Sequence, residues 1–407
     1  MNKYPEIGIT ESSGGALAPG GFVAGAAACG IREEGRLDLG LLLSERPAVS
    51  AGVFTRNRVK GAPVLVSREA AGAGAVRAVV ANSGNANAAT GRGGLEDARA
   101  MQRLAARELG LDPGEVAVAS TGVIGERLPM GRVGDGIRRA AAGLGRDGSG
   151  FARAILTTDT RTKQAAVRAE TGEGAFTVGG TAKGSGMIHP NMGTMLSFLT
   201  TDAPLGRGPL REALRRAVDR TFNRVTVDGD TSPSDMVLLI ANGAAGGEEL
   251  QPGSPGYAAF AGALEEVARR LAREIARDGE GATKLLEVVV EGASGEEDAA
   301  RLARSVAGSN LVKAAVAGED ANWGRVLTAM GYSGVGFDPQ GAEIRFGPVL
   351  VFAGGEPVEH DVAAANAALA GEEVGIRIRL SAGGASAAAW GCDLTSRYVE
   401  INGSYRT

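Results

Sequence analysis

The feature that most restricts the fold is an alternation, along the whole chain, of short apolar runs with longer segments of helical periodicity. Apolar residues recur at helical spacing over 95–109, 210–222 and 260–275. Short runs rich in β-branched residues, bounded by glycine, asparagine or proline, predict strands at 63–66, 76–80, 116–118, 236–240, 285–290, 344–352 and 374–380. This alternation predicts a mixed α/β or α+β fold.

Length and charge narrow the class of protein. With 407 residues the chain can bury a large core, and its length suggests two or more structural units. Forty-three basic and 47 acidic residues give a net charge of −4, so there is no basic excess to meet a polyanion. We therefore expect neither a nucleic-acid partner nor a membrane partner.

The sequence shows neither a signal for export nor a cysteine pattern typical of disulfide-bonded or redox proteins. The N-terminus lacks the apolar core of a signal peptide, and no uncharged apolar run reaches the length of a membrane helix. The two cysteines, Cys29 and Cys392, are far apart and form neither a disulfide framework nor a CxxC motif. These observations predict a soluble, cytoplasmic protein.

Common phosphate and metal motifs are incomplete in this chain. Lys183 is followed by glycine, which breaks the GxxxxGK[ST] phosphate-binding pattern. Residues 228–239 begin like a calcium loop, but Pro233 and Leu239 occupy the places of its glycine and its glutamate. His189 and His360 are too few for a histidine cluster. We expect no metal and no cofactor.

Residues 183–196 read KGSGMIHPNMGTML and lead Thr194 out of a turn of small residues into an apolar run. A threonine hydroxyl is a weak nucleophile, and cleavage of the preceding bond supplies its own new α-amine as general base. Gly193, without a Cβ, tolerates the strained backbone that such a cleavage requires. The segment predicts a buried N-terminal nucleophile at Thr194, at the start of an inner strand. An ordinary turn before a strand is the local alternative.

Several further blocks accompany this segment. They read AGVFTRNRVK at 51–60, NSGNANA at 82–88, STGVIG at 120–125, FNRVTVDGDT at 222–231, GEDANWGR at 318–325 and AWGCDL at 389–394. Together with 183–196 they resemble the ornithine acetyltransferases of arginine biosynthesis along nearly the whole chain. Gly193 and Ala321 depart from the commoner alanine and proline of that family.

The resemblance implies a layered αββα arrangement that is cut between Gly193 and Thr194. Residues 1–193 would form an alpha chain and residues 194–407 a beta chain of one intertwined catalytic unit. The family suggests a heterotetramer of two alpha and two beta chains.

The resemblance also implies roles for individual residues. Thr121 and Gly122 match the pair that lines the family's oxyanion hole, and we expect backbone N–H groups to converge at this turn. The positions that match substrate contacts, with Thr158 as the alternative to the first of them, are Thr157, Lys183, Thr194, Glu280, Asn402 and Thr407.

The expected reaction moves acetyl from N2-acetyl-L-ornithine to L-glutamate through an acetyl ester of Thr194. No cofactor is needed to exchange one amide for another, and acetyl-CoA remains open as a second acetyl donor. The alternatives are a self-processing amidohydrolase or aminopeptidase of similar fold and a non-catalytic binding protein. His189, five residues before Thr194, is an alternative general base.

Overall fold

The computed structural model describes residues 8–189 and 195–404 of the chain. In these ranges the strands are β1 Gly8–Ser12, β2 Phe22–Ala27, β3 Leu39–Ser44, β4 Val49–Phe54, β5 Ala78–Asn82, β6 Val116–Ser120, β7 Lys163–Thr171, β8 Gly174–Lys183, β9 Leu196–Thr201, β10 Met236–Ala241, β11 Leu285–Ala293, β12 Glu343–Phe346, β13 Val349–Ala353, β14 Glu356–Pro357, β15 Glu373–Arg379 and β16 Ala385–Cys392.

The α-helices of the same ranges are α1 Ala62–Ala73, α2 Gly91–Leu109, α3 Met130–Ala142, α4 Ser149–Ala154, α5 Arg207–Arg220, α6 Pro255–Arg277, α7 Glu296–Ala307, α8 Asn310–Ala317, α9 Trp323–Gly331, α10 Val362–Ala367 and α11 Ser396–Ser404. The mixed α/β prediction is confirmed. The three predicted helices correspond to α2, α5 and α6. None of the helices described here combines the length and the apolar character that crossing a membrane requires.

Two predicted strands were wrong in type or extent. Residues 63–66 belong to helix α1, because Gly61 supplies an extended N-cap and Pro63 fits the first turn. The run predicted over 344–352 is a hairpin of β12 and β13. It is broken where Gly347 adopts a φ of 53° before Pro348, which has no amide hydrogen to donate.

The central sheet has the strand order β1-β7-β8-β9-β10-β4, with β9 and β10 parallel and the other neighbours antiparallel. Leu196 at the start of β9 pairs with Lys183 at the end of β8 and with Met236 at the start of β10. Successive side chains on a strand point to opposite faces. The pairing of Leu196 with Lys183 and Met236 places the end of β8 beside the starts of β9 and β10, so three strand ends meet at one edge of the fold.

A second sheet, of order β2-β3-β5-β6, packs face to face against the central sheet. On β10, alternate side chains separate cleanly: Met236, Leu238 and Ile240 face the second sheet, whereas Val237 and Leu239 face helices α5 and α6. The outer face of the second sheet packs against α1, α2 and α3. The arrangement is thus helix, sheet, sheet, helix.

The third sheet follows in the C-terminal part of the chain, with the order β14-β13-β12-β15-β11-β16. Helices α7 and α9 pack on it in a separate hydrophobic cluster. Helix α6 contacts both β8 of the central sheet and β16 of the third sheet. This shared helix ends at Arg277, close to the edge where β8, β9 and β10 meet.

Candidate active site

One pocket lies at this edge and collects most of the predicted site residues. The predicted residues on its wall are Thr121, Gly122, Thr157, Lys183, Glu280 and Asn402. They come from five different segments of the chain, which meet at this edge. Met195 and Leu196 also line the pocket. The predicted residues Gly193, Thr194 and Thr407 lie outside the described residues.

Thr121 and Gly122 follow β6 in a turn that requires glycine. Gly122 has a φ of +128°, and a Cβ on it would lie 2.4 Å from the carbonyl carbon of Gly84. The Thr121 N–H donates to the Asn82 carbonyl at 3.1 Å, so it is not available as a second backbone donor at this turn. Within the part of the chain described, the Gly122 N–H has no acceptor. The Gly122 N–H and the Thr121 hydroxyl are therefore the donors that this turn leaves for a ligand.

Lys183 ends β8 with its ammonium group inside the pocket. Its side chain is 9% exposed, and Nζ lies 3.3 Å from Oγ1 of Thr121 and 3.9 Å from a carboxylate oxygen of Asp159. Burial lowers the pKa of Lys183, while Asp159 and Glu280 oppose that shift. Lys183 thus offers a partly desolvated cation beside the predicted oxyanion donors.

A cluster of buried charged side chains holds Lys183 in position. Lys163 is fully buried and donates to Asp159 at 2.7 Å and to Asp278 at 2.5 Å. Asp159 also accepts from the Gly184 amide at 2.7 Å. Although burial opposes it, the charges of Lys163 and Lys183 hold the pKa of Asp159 well below its ordinary value. Asp159 is consequently a carboxylate at neutral pH.

Glu280 lies just beyond helix α6, as the sequence predicted. Its carboxylate accepts from Nδ2 of Asn402 at 2.8 Å, and its amide donates to the Ser185 carbonyl at 3.0 Å. A Cβ on Gly186 would lie 2.4 Å from this carboxyl group. Gly186 therefore leaves the room that Glu280 occupies, a requirement that the glycine-rich sequence did not reveal by itself.

Four acidic or phenolic residues of the pocket were missed as site residues, and one of them is Asp235. Asp228, Asp230 and Tyr398 line the wall near Glu280. Asp228 accepts from the amides of Met187 at 2.6 Å and Ile188 at 2.9 Å, and burial raises its pKa. The block at 222–231 was a usable signal for Asp228 and Asp230. It identified the family without assigning a role to either residue.

Thr157 and Thr158 both line the pocket, so the geometry leaves the choice between them open. The Thr157 amide donates to Asp159 at 3.0 Å, and its carbonyl accepts from Arg32 at 3.0 Å. This places the turn next to Lys183.

His189 is absent from the pocket wall. Its Nδ1 lies 3.0 Å from the Thr226 hydroxyl, and burial together with the Arg304 charge lowers its pKa. Between residues 8 and 404, the described segments contain no group of three or more His, Cys, Asp or Glu side chains that would hold a metal ion. Cys29 and Cys392 are both buried free thiols.

This chain is similar to known proteins over nearly its whole length. The ArgJ family matches residues 23–407. The arginine biosynthesis bifunctional protein ArgJ of Symbiobacterium thermophilum is 57% identical over 398 residues, covering 97% of this chain and 99% of that protein. The Bacillus subtilis protein of the same name is 46% identical over 411 residues, covering 100% of both. The crystal structure of the Bacillus halodurans ArgJ protein has a TM-score of 0.51 and 47% identity, and covers 52% of this chain and 100% of its own.

Proposed function

Because the chain belongs to the ArgJ family, we propose that it transfers an acetyl group from N2-acetyl-L-ornithine to L-glutamate in arginine biosynthesis. The observation that carries the proposal is a pocket whose wall carries both a cation and a carboxylate. Lys183 and Glu280 both line it, beside the donors of Thr121 and Gly122.

The charges fit an amino-acid substrate. Lys183 would hold the α-carboxylate of ornithine, and Glu280 would accept from the terminal ammonium. Asn402 keeps the Glu280 carboxylate in place through its 2.8 Å hydrogen bond. Asp228 and Asp230 add negative charge on the same wall. Thr157 or Thr158 and the terminal Thr407 complete the proposed substrate contacts.

The nucleophile is Thr194, freed by cleavage between Gly193 and Thr194. In the sequence this bond lies between β8 and β9, whose ends pair at the pocket through Lys183 and Leu196. Met195, the neighbour of Thr194, lines the pocket itself. The solved Bacillus halodurans chain matches 52% of this chain over its own full length. One of the two chains of a cleaved protein would match in this way.

The proposed reaction has two halves. The Thr194 amine takes the proton of its own hydroxyl, and Oγ attacks the acetyl carbonyl carbon of acetylornithine. The Thr121 hydroxyl and the Gly122 N–H stabilise the oxyanion, and ornithine leaves with the proton. The glutamate amine then attacks the acetyl ester in the same way, giving N-acetylglutamate and regenerating Thr194.

The exchange of one amide for another needs no cofactor. Since the relatives are named bifunctional, we propose acetyl-CoA as a second donor for glutamate acetylation. We also propose that residues 1–193 and 194–407 are the alpha and beta chains of a cytoplasmic heterotetramer that acts on small molecules alone.

The first test is the intact mass of the denatured protein beside its Thr194→Ala variant. We expect fragments beginning at Met1 and Thr194 in the wild type and a single uncut chain in the variant. An uncut, folded wild type would exclude an N-terminal threonine mechanism.

The second test separates acetyl transfer from hydrolysis. Wild-type protein is incubated with acetylornithine, with and without glutamate, and ornithine release is measured. Release that depends on glutamate, with parallel double-reciprocal lines, supports transfer through an acetyl-enzyme. Release at the same rate without glutamate would instead support the amidohydrolase alternative.

A further inference from the structure

Arg32 reaches the turn that carries Thr157 from outside the pocket. Its Nη1 donates to the carbonyl of Leu156 at 2.5 Å, and its Nη2 donates to the carbonyl of Thr157 at 3.0 Å. Arg32 is absent from the pocket wall, whereas Thr157 and Thr158 both line it. A guanidinium group holds its N–H donors in a rigid planar fork, so it can bind two successive carbonyl groups at once. Arg32 can therefore act on the site through the backbone of this turn.

The two hydrogen bonds fix the peptide units on both sides of Thr157. The first unit has its carbonyl on Arg32 and its N–H on Oδ2 of Asp159, at 3.0 Å. The second unit has its carbonyl on Arg32 as well. Each peptide unit is planar, so the two planes that meet at a Cα atom determine φ and ψ of that residue. The direction of the Cα–Cβ bond of Thr157 follows from those two angles.

The backbone of Arg32 is anchored on the second sheet. Asp38, which directly precedes β3, is fully buried. Its carboxyl group accepts the N–H groups of Cys29 at 2.7 Å, Ile31 at 2.7 Å and Arg32 at 3.0 Å. Three donors on one buried acceptor hold this loop in one conformation. The guanidinium group of Arg32 thus extends from a rigid part of the fold, as precise positioning requires.

We propose that Arg32 is a positioning residue for substrate binding: by holding both peptide units that flank Thr157, it directs the Thr157 hydroxyl to the substrate. This inference rests on the proposed function, in which Thr157 or Thr158 contacts the substrate. It assigns the contact to Thr157, because Arg32 holds only one of the two peptide units that flank Thr158.

The part of the substrate that Thr157 would contact follows from Asp159. The same Oδ2 atom of Asp159 accepts from the Thr157 amide at 3.0 Å and lies 3.9 Å from Nζ of Lys183. Thr157 is therefore held close to the ammonium group proposed to bind the α-carboxylate. A hydroxyl group donates a hydrogen bond to such a carboxylate. Both acetylornithine and glutamate carry an α-carboxylate, so Thr157 would serve both halves of the reaction.

A packing contact gives Arg32 a competing role. A Cβ on Gly84 would lie 2.5 Å from Cγ of Arg32, and a Cβ on Gly122 would lie 2.4 Å from the Gly84 carbonyl carbon. Through this packing Arg32 would instead support the turn that holds the Gly122 N–H. The packing contact uses a methylene group of Arg32, whereas the two carbonyls are bound by its charged end. Methionine keeps the methylene groups and loses both donors, so Arg32→Met separates the two roles.

The test is steady-state kinetics of Arg32→Met, with acetylornithine and glutamate varied in turn. Loss of a contact that binds substrate and transition state equally raises KM and leaves kcat unchanged. We expect KM for both substrates to rise by about 5- to 30-fold, as for the loss of a hydrogen bond to a charged group. Arg32→Lys keeps the charge without the planar fork, and its KM values should lie between those of wild type and Arg32→Met.

Arg132→Met is the matched control. Arg132 is an exposed arginine that donates to the Gly30 carbonyl of the same loop at 2.7 Å. Its replacement removes an arginine–carbonyl hydrogen bond without touching the turn at Thr157. Both KM values and kcat should therefore stay at the wild-type level.

A double-mutant cycle identifies the residue through which Arg32 acts. Thr157→Val removes the hydroxyl, so adding Arg32→Met to it should raise KM little further. Added to Thr158→Val, Arg32→Met should keep its full effect. A general loss of structure would not depend on the Thr157 hydroxyl. Full additivity with Thr157→Val would therefore overturn the proposal.

The remaining outcomes are equally decisive. Wild-type KM values in a folded Arg32→Met would overturn the proposal, and a lower kcat at unchanged KM would assign Arg32 to the Gly122 turn instead. If Arg32→Met does not fold, wild-type KM values in Arg32→Lys would exclude a clamp of two carbonyls. If wild type releases no ornithine in response to glutamate, the proposed function itself fails. If wild type transfers acetyl and Arg32→Met behaves like Arg132→Met, only this inference fails.

Discussion

At the scale of single residues, the site depends on buried charged groups that do not line the pocket. Lys163 holds Asp159 and Asp278 together with no exposure to solvent. Through Asp159 it fixes Lys183, and through Asp278 it fixes the end of α6 two residues before Glu280. One buried ammonium therefore sets the distance between the two proposed substrate contacts.

Replacing Lys163 should be costly. Lys163→Met removes the cation that lies nearest to both buried carboxylates, and breaking such a pair costs about 3–5 kcal/mol of unfolding free energy. The measurement is urea unfolding in the uncut Thr194→Ala background, so that one chain unfolds. Arg168→Ala, on the same strand, removes an exposed pair with Glu170 and should cost less than about 1 kcal/mol. Equal losses in both variants would contradict the proposed importance of the buried cluster.

Gly122→Ala tests the oxyanion donors. The new Cβ would lie 2.4 Å from the Gly84 carbonyl carbon at a φ of +128°, so the backbone must move and carry the N–H with it. Loss of one such donor lowers kcat by about 10²–10³-fold. Gly125→Ala is the matched control, with a φ of +87° and no atom within 4 Å of its Cβ. A similar loss of kcat in both variants would mean that backbone strain alone explains the effect.

The structure brings together residues for which a motif had predicted a role. Six predicted residues share one pocket, although their roles stay predictions until they are tested. The use of the Thr121 N–H by Asn82 was not predictable, since it depends on how β6 meets β5. Asp235 was equally hidden, because nothing in its neighbours separates a buried acid from a solvated one.

At the scale of elements, close backbone approach determines how α6 lies on the central sheet. At Gly180 of β8, a Cβ would lie 3.0 Å from Leu271 of α6 and 2.5 Å from Leu199 of β9. The helix packs directly over this position, and its end delivers Glu280 to the pocket. Strand–helix distance at Gly180 thus contributes to the geometry of the site.

Leu271→Ala should weaken this contact. Leu271 is fully buried in the cluster that joins α6 to the central sheet, and its truncation should cost about 2–5 kcal/mol by urea unfolding in the Thr194→Ala background. Leu311→Ala, at a position 60% exposed, should change stability by no more than about 0.5 kcal/mol. A small effect at Leu271 would show that the helix can collapse onto the vacated space.

Long periodic elements were predictable, and short ones were not. The segments that became α2, α5 and α6 carry several turns of helical spacing, whereas 63–66 is too short to separate strand from helix by periodicity. Pro63 begins the predicted strand and is instead part of a helix's first turn. In the β12–β13 hairpin, the turn at Gly347 was not distinguished from the flanking strands.

At the scale of the whole molecule, the proposed cut falls inside a sheet. Strands β1, β7, β8 and β4 precede Thr194, whereas β9 and β10 follow it. The hydrophobic cluster under this sheet likewise draws residues from both sides, among them Val178 and Leu239. Neither proposed chain contains a complete central sheet.

The two chains should therefore remain together after cleavage. We expect one species by native size-exclusion chromatography and two bands by denaturing electrophoresis. Residues 194–407 expressed alone should be unfolded or insoluble, because β9 and β10 would expose both edges of their pair. A soluble, cooperatively unfolding 194–407 fragment would contradict an intertwined unit.

The pairing of Lys183 with Leu196 bears on the order in which the molecule would fold and be cleaved. Before cleavage, β8 and β9 belong to one chain, and closing a loop of about a dozen residues costs little entropy. After cleavage the same pairing would have to form between separate molecules, at a cost that depends on their concentration. With the proposed cleavage, the protein would assemble once, as a precursor, and its cut form would keep a structure that its two pieces would not readily regain after dilution and denaturation.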